Sequence, residues 1–528
     1  MSGSFSVSQT TRKPGVVAHK GGVVAAQHVE AARIGADILA AGGDAVDAAT
    51  AVSFALGVLE PWMSGPAGGG AMVLWRADEE KAHALTYGMR SSASLDLDHY
   101  PLATEGKASD LFPWDAVEGD RNLLGATAIA VPGTVAGIAQ AHQRFGKIEW
   151  AELLGPAISA ARLGLHVDWY AALIIASSAR DLAQDPDAAA LFLDEGTWPK
   201  GTGWTALHKS RLDQSAMADC LSHLAQAGAQ DFYRGDIANS LVKDVTAKGG
   251  FLTHTDLADY APIWSEPLAI PFRDGVVHAV PGLTAGPTLA DALEAWQRQY
   301  PPEDSAKPAG FVARAQAIQA AYQKRFATMG DHESNKAPGC TTHFSVVDRQ
   351  GNMVSMTQTL LSIFGSKVVS PSTGLLMNNG IMWFDPAQGH PNSLAPDKSC
   401  LMNVCPVIAE SGARRYAIGA SGGRKIMPAV AQLLAHMSER NMTIQDAIEA
   451  PRFDASDGAT LVADERLIGP VTDALNAAIP TKTAQSLPFP YAFACPAGVA
   501  RESGLNSGTT ETFSPWGDAV AEPETSET

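Results

Sequence analysis

Two adjacent threonines, Thr341 and Thr342, open the alternating run Thr-Thr-His-Phe-Ser-Val-Val-Asp in the middle of a 528-residue chain. The preceding segment, residues 330–340, is polar and lacks periodicity. That arrangement suits a nucleophile made by breaking the chain. Cleavage of the Cys340–Thr341 bond would leave Thr341 with its hydroxyl and a free α-amine of ordinary pKa roughly 7.7–8.0. Such an amine can serve as general base for the hydroxyl, so the chemistry needs no histidine. The expected products are a large chain, residues 1–340, and a small chain, residues 341–528.

A second pattern, Gly419-Ala-Ser421-Gly-Gly423, fits G-x-S-x-G, the nucleophile elbow of α/β-hydrolases. That chemistry needs an acidic residue and then a histidine after the serine. His436 is the only histidine beyond Ser421, and no acidic residue lies between them. The serine reading is therefore disfavoured.

The elements that must carry these residues are partly legible. A helix is expected from Val29 to Ala41, stopped by Gly42-Gly43. Asp44 is a good N-cap with Asp47 three residues on. It opens an apolar, core-type helix from Ala45 to Leu59 that ends at Pro61. Gly65–Gly70 reads as a tight loop and Ala71–Trp75 as a strand. Residues 124–330 are mainly helical, with segments at Thr134–His142, Trp150–Leu163, Leu212–Ala227 and Ile237–Lys248 and a strand at Gly275–Val280. Residues 327–340 read as a loop. Beyond it, Thr341–Asp348 and Asn352–Leu360 form a hairpin about Arg349-Gln-Gly351. Strands at Gly374–Asn378 and Arg415–Gly419, a helix at Lys425–Ser438 and a frayed acidic tail, Ala521–Thr528, follow. Helical layers around antiparallel strands predict an α/β sandwich whose sheets draw on both halves of the chain.

Composition limits the partners. The chain is 46% hydrophobic and 18% charged, as in ordinary soluble proteins. Its net charge is −18, which opposes nucleic acid and anionic membranes. Five cysteines are too few, and odd in number, for a disulfide framework. The N-terminus has no apolar signal-type stretch and no run reaches a bilayer span, so the expectation is a cytoplasmic protein with no membrane partner. Cys400 and Cys405 lack a matching His/Cys cluster, and neither a P-loop nor a dinucleotide fingerprint is present. No metal and no cofactor are expected. Gly68–Gly70 is read as a structural loop near the active-site wall.

Several blocks together resemble the γ-glutamyltransferase (γ-glutamyltranspeptidase) family of N-terminal-nucleophile hydrolases. They are residues 35–49, Ala130–Gly137, Asp231–Gly235, Gly249–Thr253, Thr341–Asp348, Gly419–Gly423 and Glu449–Phe453. They span most of the chain in family order. The resemblance implies a four-layer αββα sandwich, self-cleavage before Thr341, and heavy and light chains that stay associated as one intertwined unit. It allows a homodimer of such processed heterodimers. It also implies a small-molecule amide substrate and a threonine acyl-enzyme resolved by water or an amine. Thr341 matches the nucleophile and Thr359 the threonine that hydrogen-bonds it. Gly422 and Gly423 match the oxyanion-hole pair, whose N–H groups stabilise a tetrahedral intermediate by about 3–4 kcal/mol.

The acyl-binding positions depart from the family. Where typical members hold the substrate's α-amino group with Asn, Gln and Asp, this chain has Leu361, Gly380 and Trp383, the last two within Asn378-Asn379-Gly-Ile-Met-Trp-Phe384. A buried ammonium needs a carboxylate or several acceptors, and Trp383 offers only a cation–π face. The serine pair for the α-carboxylate is replaced by Met402 and Asn403, and the heavy-chain arginine is shifted by two positions to Arg90. Arg90, Asn379, Trp383 and Asn403 are the candidate substrate-binding residues, with Arg90 suited to an acidic acyl group. The expectation is an amidohydrolase for γ-glutamyl or related amides in which hydrolysis outweighs transfer. Glutaryl-type or short dicarboxylic monoamides such as oxamate are the alternative substrates. A processing-deficient binding or scaffold protein is the alternative of another class.

Overall fold

Strand alternation sorts the side chains of the two sheets into three stacked cores, beside which a fourth cluster gathers Trp62, Ile175, Phe192 and Phe364. Val24 and Ala26 join a helix-side core, while Val23 and Ala25 face the opposite way. Met72 and Leu74 likewise part from Ala71 and Val73. Strands buried on both faces are the mark of a sheet covered on both sides. The computed structural model describes residues 13–107, 114–201, 209–329, 340–390, 392–457, 459–467 and 469–523.

Two seven-stranded sheets result, with every pairing antiparallel. The first runs Val16–Ala18, Leu505–Thr510, Cys495–Glu502, Arg414–Ser421, Val407–Ser411, Gly275–Ala279, Leu268–Phe272. The second runs Asp518–Ala521, Val23–Ala26, Cys340–Val347, Met353–Leu361, Gly69–Arg76, Lys81–Tyr87, Ile263–Ser265. Helices 29–40, 45–59, 134–145, 150–163, 215–227 and 236–247 cover the second sheet. Helices 286–299, 308–328, 426–440 and 444–449 cover the first. The third core, with Val73, Ile408, Ala417 and Val499, lies between the sheets. This is the expected αββα sandwich.

The helix Ala45–Leu59 forms as its sequence predicts. Asp44 accepts from the N–H of Val46 and Asp47, and Asp47 returns a bond to the Asp44 N–H, completing a capping box. Fourteen of its residues are buried, so it is a core helix.

Two expectations are corrected. Residues Gly374–Asn378 form no sheet strand. Their backbone bonds back on the preceding turn, Met377 N to Val368 O at 2.9 Å and Ser370 N to Leu375 O at 3.0 Å, leaving only an isolated bridge. The tail is not frayed at its start. Ala521 pairs with Val23, and Glu522 is buried with its carboxylate accepting the Gly22 N–H at 2.7 Å. Helix 308–328 also extends into the expected loop, whereas residues 330–339 and 524–528 lie outside the described residues.

Candidate functional site

Thr341 is the second residue of the strand Cys340–Val347 and is buried. Its hydroxyl donates to Thr359 Oγ1 at 3.5 Å. Thr359 Oγ1 in turn accepts the Leu361 N–H at 2.8 Å. The ladder is irregular here: Cys340 opposes Leu361 and Thr342 opposes Gln358, so Thr341 alone faces the pair Thr359–Leu360. Two residues against one is a bulge, which re-aims side chains. Leu361 holds φ +85, a conformation costly for a branched side chain. Gly68 packs against this end of the strand, where a β-carbon would lie 2.4 Å from Thr359 O.

Alternation places Thr341 on the same face as His343, between the sheets. His343 bonds Thr357 Oγ1 at 2.9 Å and Ser345 Oγ at 3.0 Å. Burial pushes its imidazole down to about 3, so it is neutral. Gly419 of the facing sheet lies against that ring; a β-carbon there would be 2.4 Å from His343 Cε1. Close approach of the sheets, rather than an elbow, therefore accounts for this glycine. The strand carrying Gly419 ends at Ser421, and Gly422 (φ +128) and Gly423 (φ +61) turn the chain beyond it. Ser421 is buried, accepts from Gln27 Nε2 at 2.7 Å and contacts the Tyr491 hydroxyl at 3.2 Å. Among the described residues no histidine bonds it.

The positions expected to bind the acyl group come together from three distant segments. Cys400 N donates to Met89 O at 3.0 Å, and Cys400 Sγ lies 3.3 Å from Gly380 O. Asn379 N donates to Leu360 O at 3.1 Å, joining this cluster to the threonine pair. No side chain fits at residue 380, where a β-carbon would meet Ala130 Cβ at 2.8 Å. Leu361 and Trp383 are buried in the same apolar core, and Trp383 Nε1 has no hydrogen-bond partner among the described residues. Met402 fills the space beside Gly88.

Gly88, Arg90, Cys400 and Met402 line one cavity of about 470 Å³ together with Leu283 and Ile263. Arg90 Nε sits 3.2 Å from Asp397 Oδ1, and its Nη2 donates to Asp256 O at 3.3 Å. Asn403 Oδ1 accepts from the buried Arg325 at 3.4 Å; Arg325 also binds Met402 O at 2.8 Å and Thr284 O at 2.7 Å. Asn379 is spent within the fold: its amide donates to Leu123 O and Ser362 Oγ and accepts the Ser362 N–H.

Sequence reading missed Glu60. Its buried carboxylate oxygen Oε2 accepts the Thr342 hydroxyl at 2.9 Å, and burial pushes its carboxyl up to about 8. The only signal was an acidic residue closing an otherwise apolar helix. His223, Asp231 and Asp236 bring ligand atoms within 4.8 Å of one another. Asp231 already caps the N–H groups of Asp236 and Ile237, so this group reads as helix capping.

Comparison with known proteins shows the family. The family model described as Gamma-glutamyltranspeptidase matches residues 31–340 and 334–486. The Acylase ACY 1 proenzyme of Pseudomonas sp. (strain V22) is 31% identical over 499 residues, covering 86% of each chain. Glutathione hydrolase 3 of Arabidopsis thaliana is 30% identical over 83% of this chain and 73% of its own length. In structure, a cephalosporin acylase from Bacillus halodurans superposes with a TM-score of 0.81, 24% identity and 99% coverage of both chains, a likeness of fold. No helix among the described residues is long and apolar enough to cross a membrane. A family match over residues 31–486, curated relatives at this identity and a shared αββα architecture identify the chain as an enzyme of the gamma-glutamyltranspeptidase family, with the N-terminal-nucleophile hydrolase fold.

Proposed function

We propose that this enzyme cleaves its own chain between Cys340 and Thr341 and then hydrolyses amides through an acyl-Thr341 intermediate. The observation that carries the reading is the Thr341 hydroxyl aimed at Thr359 Oγ1 in the bulge that opens the strand. In the precursor, Thr341 Oγ1 attacks the Cys340 carbonyl carbon and the C–N bond breaks, leaving an ester and the protonated Thr341 amine; water then hydrolyses that ester, giving the Cys340 carboxylate and a free Thr341 hydroxyl. In turnover that amine takes the hydroxyl proton as Oγ1 attacks the substrate carbonyl, then delivers it to the leaving amine. Water resolves the acyl-enzyme. Gly422 and Gly423 supply N–H donors to the oxyanion. The 1–340 and 341–528 products stay together, because each sheet pairs strands from both.

The substrate is a dicarboxylic monoamide whose acyl group lacks an α-amino group, of glutaryl or oxamate type, in preference to a γ-glutamyl amide. The side chains at Leu361, Gly380 and Trp383 provide no acceptor for an ammonium, and the unpartnered Trp383 Nε1 is a donor. A donor suits a carbonyl or carboxylate oxygen and opposes a cation. Arg90 at the cavity wall adds positive charge.

Intact mass of the wild type beside Thr341→Ala tests the first half. Two fragments in the wild type and one full chain in the variant are expected. An uncut wild-type chain would favour the scaffold reading. Anilides of γ-glutamic, glutaric and oxalic acids then test the second half, and faster turnover of the γ-glutamyl compound would overturn it.

A further inference from the structure

Glu60 closes the helix Ala45–Leu59 on the helical side of the second sheet. It is 3% exposed, and among the described residues no basic side chain pairs with it. A carboxyl group buried without a cation is expensive, and a fold retains such a group mainly where it does a job. Its one side-chain hydrogen-bond partner among the described residues is Thr342, the neighbour of the proposed nucleophile.

The turn that begins at Glu60 holds, from behind, the residue that follows each threonine of the site. Glu60 Oε2 accepts from Thr342, the residue after Thr341. Met63 O accepts the N–H of Leu360, the residue after Thr359, at 3.0 Å. Trp62 O accepts the Phe364 N–H at 2.9 Å. Gln358, opposite Thr342 in the ladder, is held from the same side by Ser53 Oγ at 2.5 Å and Ser64 Oγ at 2.9 Å. Side chains alternate along a strand, so Thr342 points to the helices while Thr341 points between the sheets. Glu60 therefore acts through Thr342.

We infer that Glu60 is a positioning residue for the Thr341 centre: by accepting the Thr342 hydroxyl it fixes the irregular register that brings Thr341 to Thr359. The inference rests on the reading of Thr341 as nucleophile. A hydroxyl-to-carboxyl bond at this point resists a slip of the strand start, and a shift of about 1 Å can cost roughly 100-fold in rate. Glutamine would preserve the acceptor, because it has the shape of the neutral carboxylic acid and presents a carbonyl oxygen to Thr342.

The test uses the full chain carrying Glu60→Leu, Glu60→Gln, Thr342→Val or Glu60→Leu with Thr342→Val. Self-cleavage is followed by intact mass, turnover by kcat and KM on a glutaryl anilide, and folding by Tm. Glu60→Leu and Thr342→Val should each slow self-cleavage and lower kcat by about 100-fold with KM little changed. The double variant should be no slower than either single, since both remove one bond. Glu60→Gln should restore rates close to wild type. Wild-type rates in Thr342→Val, additive losses in the double, or a Glu60→Gln as slow as Glu60→Leu would each overturn the inference. If Glu60→Leu does not fold, Thr342→Val removes the same bond and decides the matter. A wild type that never cleaves overturns the Thr341 reading instead, so the two failures are distinguishable.

Discussion

Met402 packs directly against Gly88: a β-carbon at residue 88 would lie 2.8 Å from Met402 Cε and 3.0 Å from its sulfur. These are the two places where the family resemblance puts the arginine and one of the serines that clamp a substrate carboxylate. Here the two changes are complementary in space. The Met402 side chain fills the space that a side chain at residue 88 would need.

The pair can therefore be reversed only together. Gly88→Arg alone should clash with Met402 and lose activity on every anilide. Gly88→Arg with Met402→Ser should raise kcat/KM for the γ-glutamyl anilide relative to the glutaryl anilide by about tenfold, the discrimination of one polar contact of about 1.4 kcal/mol. An unchanged ratio in the double variant would show that this cavity does not receive the acyl group.

Thr359 should matter for its hydroxyl. Thr359→Val keeps the volume but removes the acceptor for both Thr341 and the Leu361 N–H. Self-cleavage and kcat should fall by about 100-fold, within the range of losing one proton-transfer or orienting group. Thr359→Ser should keep most of both. Time courses of fragment appearance check this directly.

Gly422 and Gly423 are predicted to tolerate no side chain. Their positive φ values strain any L-residue, and a β-carbon at 422 would sit 3.0 Å from Ala494 Cα. Gly423→Ala should lower kcat by about 100-fold or more, as for loss of an oxyanion donor, with KM little changed. Equal kcat would remove these glycines from the mechanism.

Stability should respond to pH in two opposite ways. His343 has its folded value depressed from 6.5 to about 3. The unfolded chain takes up that proton first, so this group costs stability as pH falls from 6.5 towards 3 and has no effect above. Glu60 has its folded value raised from 4.5 to about 8. Its contribution is fully present below 4.5 and is lost as pH rises through about 8. Wild type should accordingly lose Tm relative to Glu60→Gln between those two pH values. A constant Tm difference across that window would contradict the assignment.

How much of this was legible beforehand depended on how local each signal was. The Asp44 capping box, the apolar helix after it and the hairpin at 349–351 rest on neighbours within a few residues, and the structure reproduces them. The strand expected at Gly374–Asn378 fails because a strand needs an edge to pair with, and its backbone bonds are taken by its own preceding turn.

Sequence by itself determined the sandwich, the candidate nucleophile and its proposed partners in chemistry only to the extent that residue type and order carry them: Thr341, Thr359 and the Gly422–Gly423 turn. Tertiary structure alone decided what surrounds them. Glu522 becomes buried because the last described strand pairs with Val23–Ala26, nearly 500 residues earlier in the chain. Glu60 meets Thr342 across 282 residues. Met402 meets Gly88. The physical reason is common to all three. Burial, with the desolvation and shape fit that follow from it, belongs to pairs of surfaces brought together by the sheets, and no window of sequence contains both members.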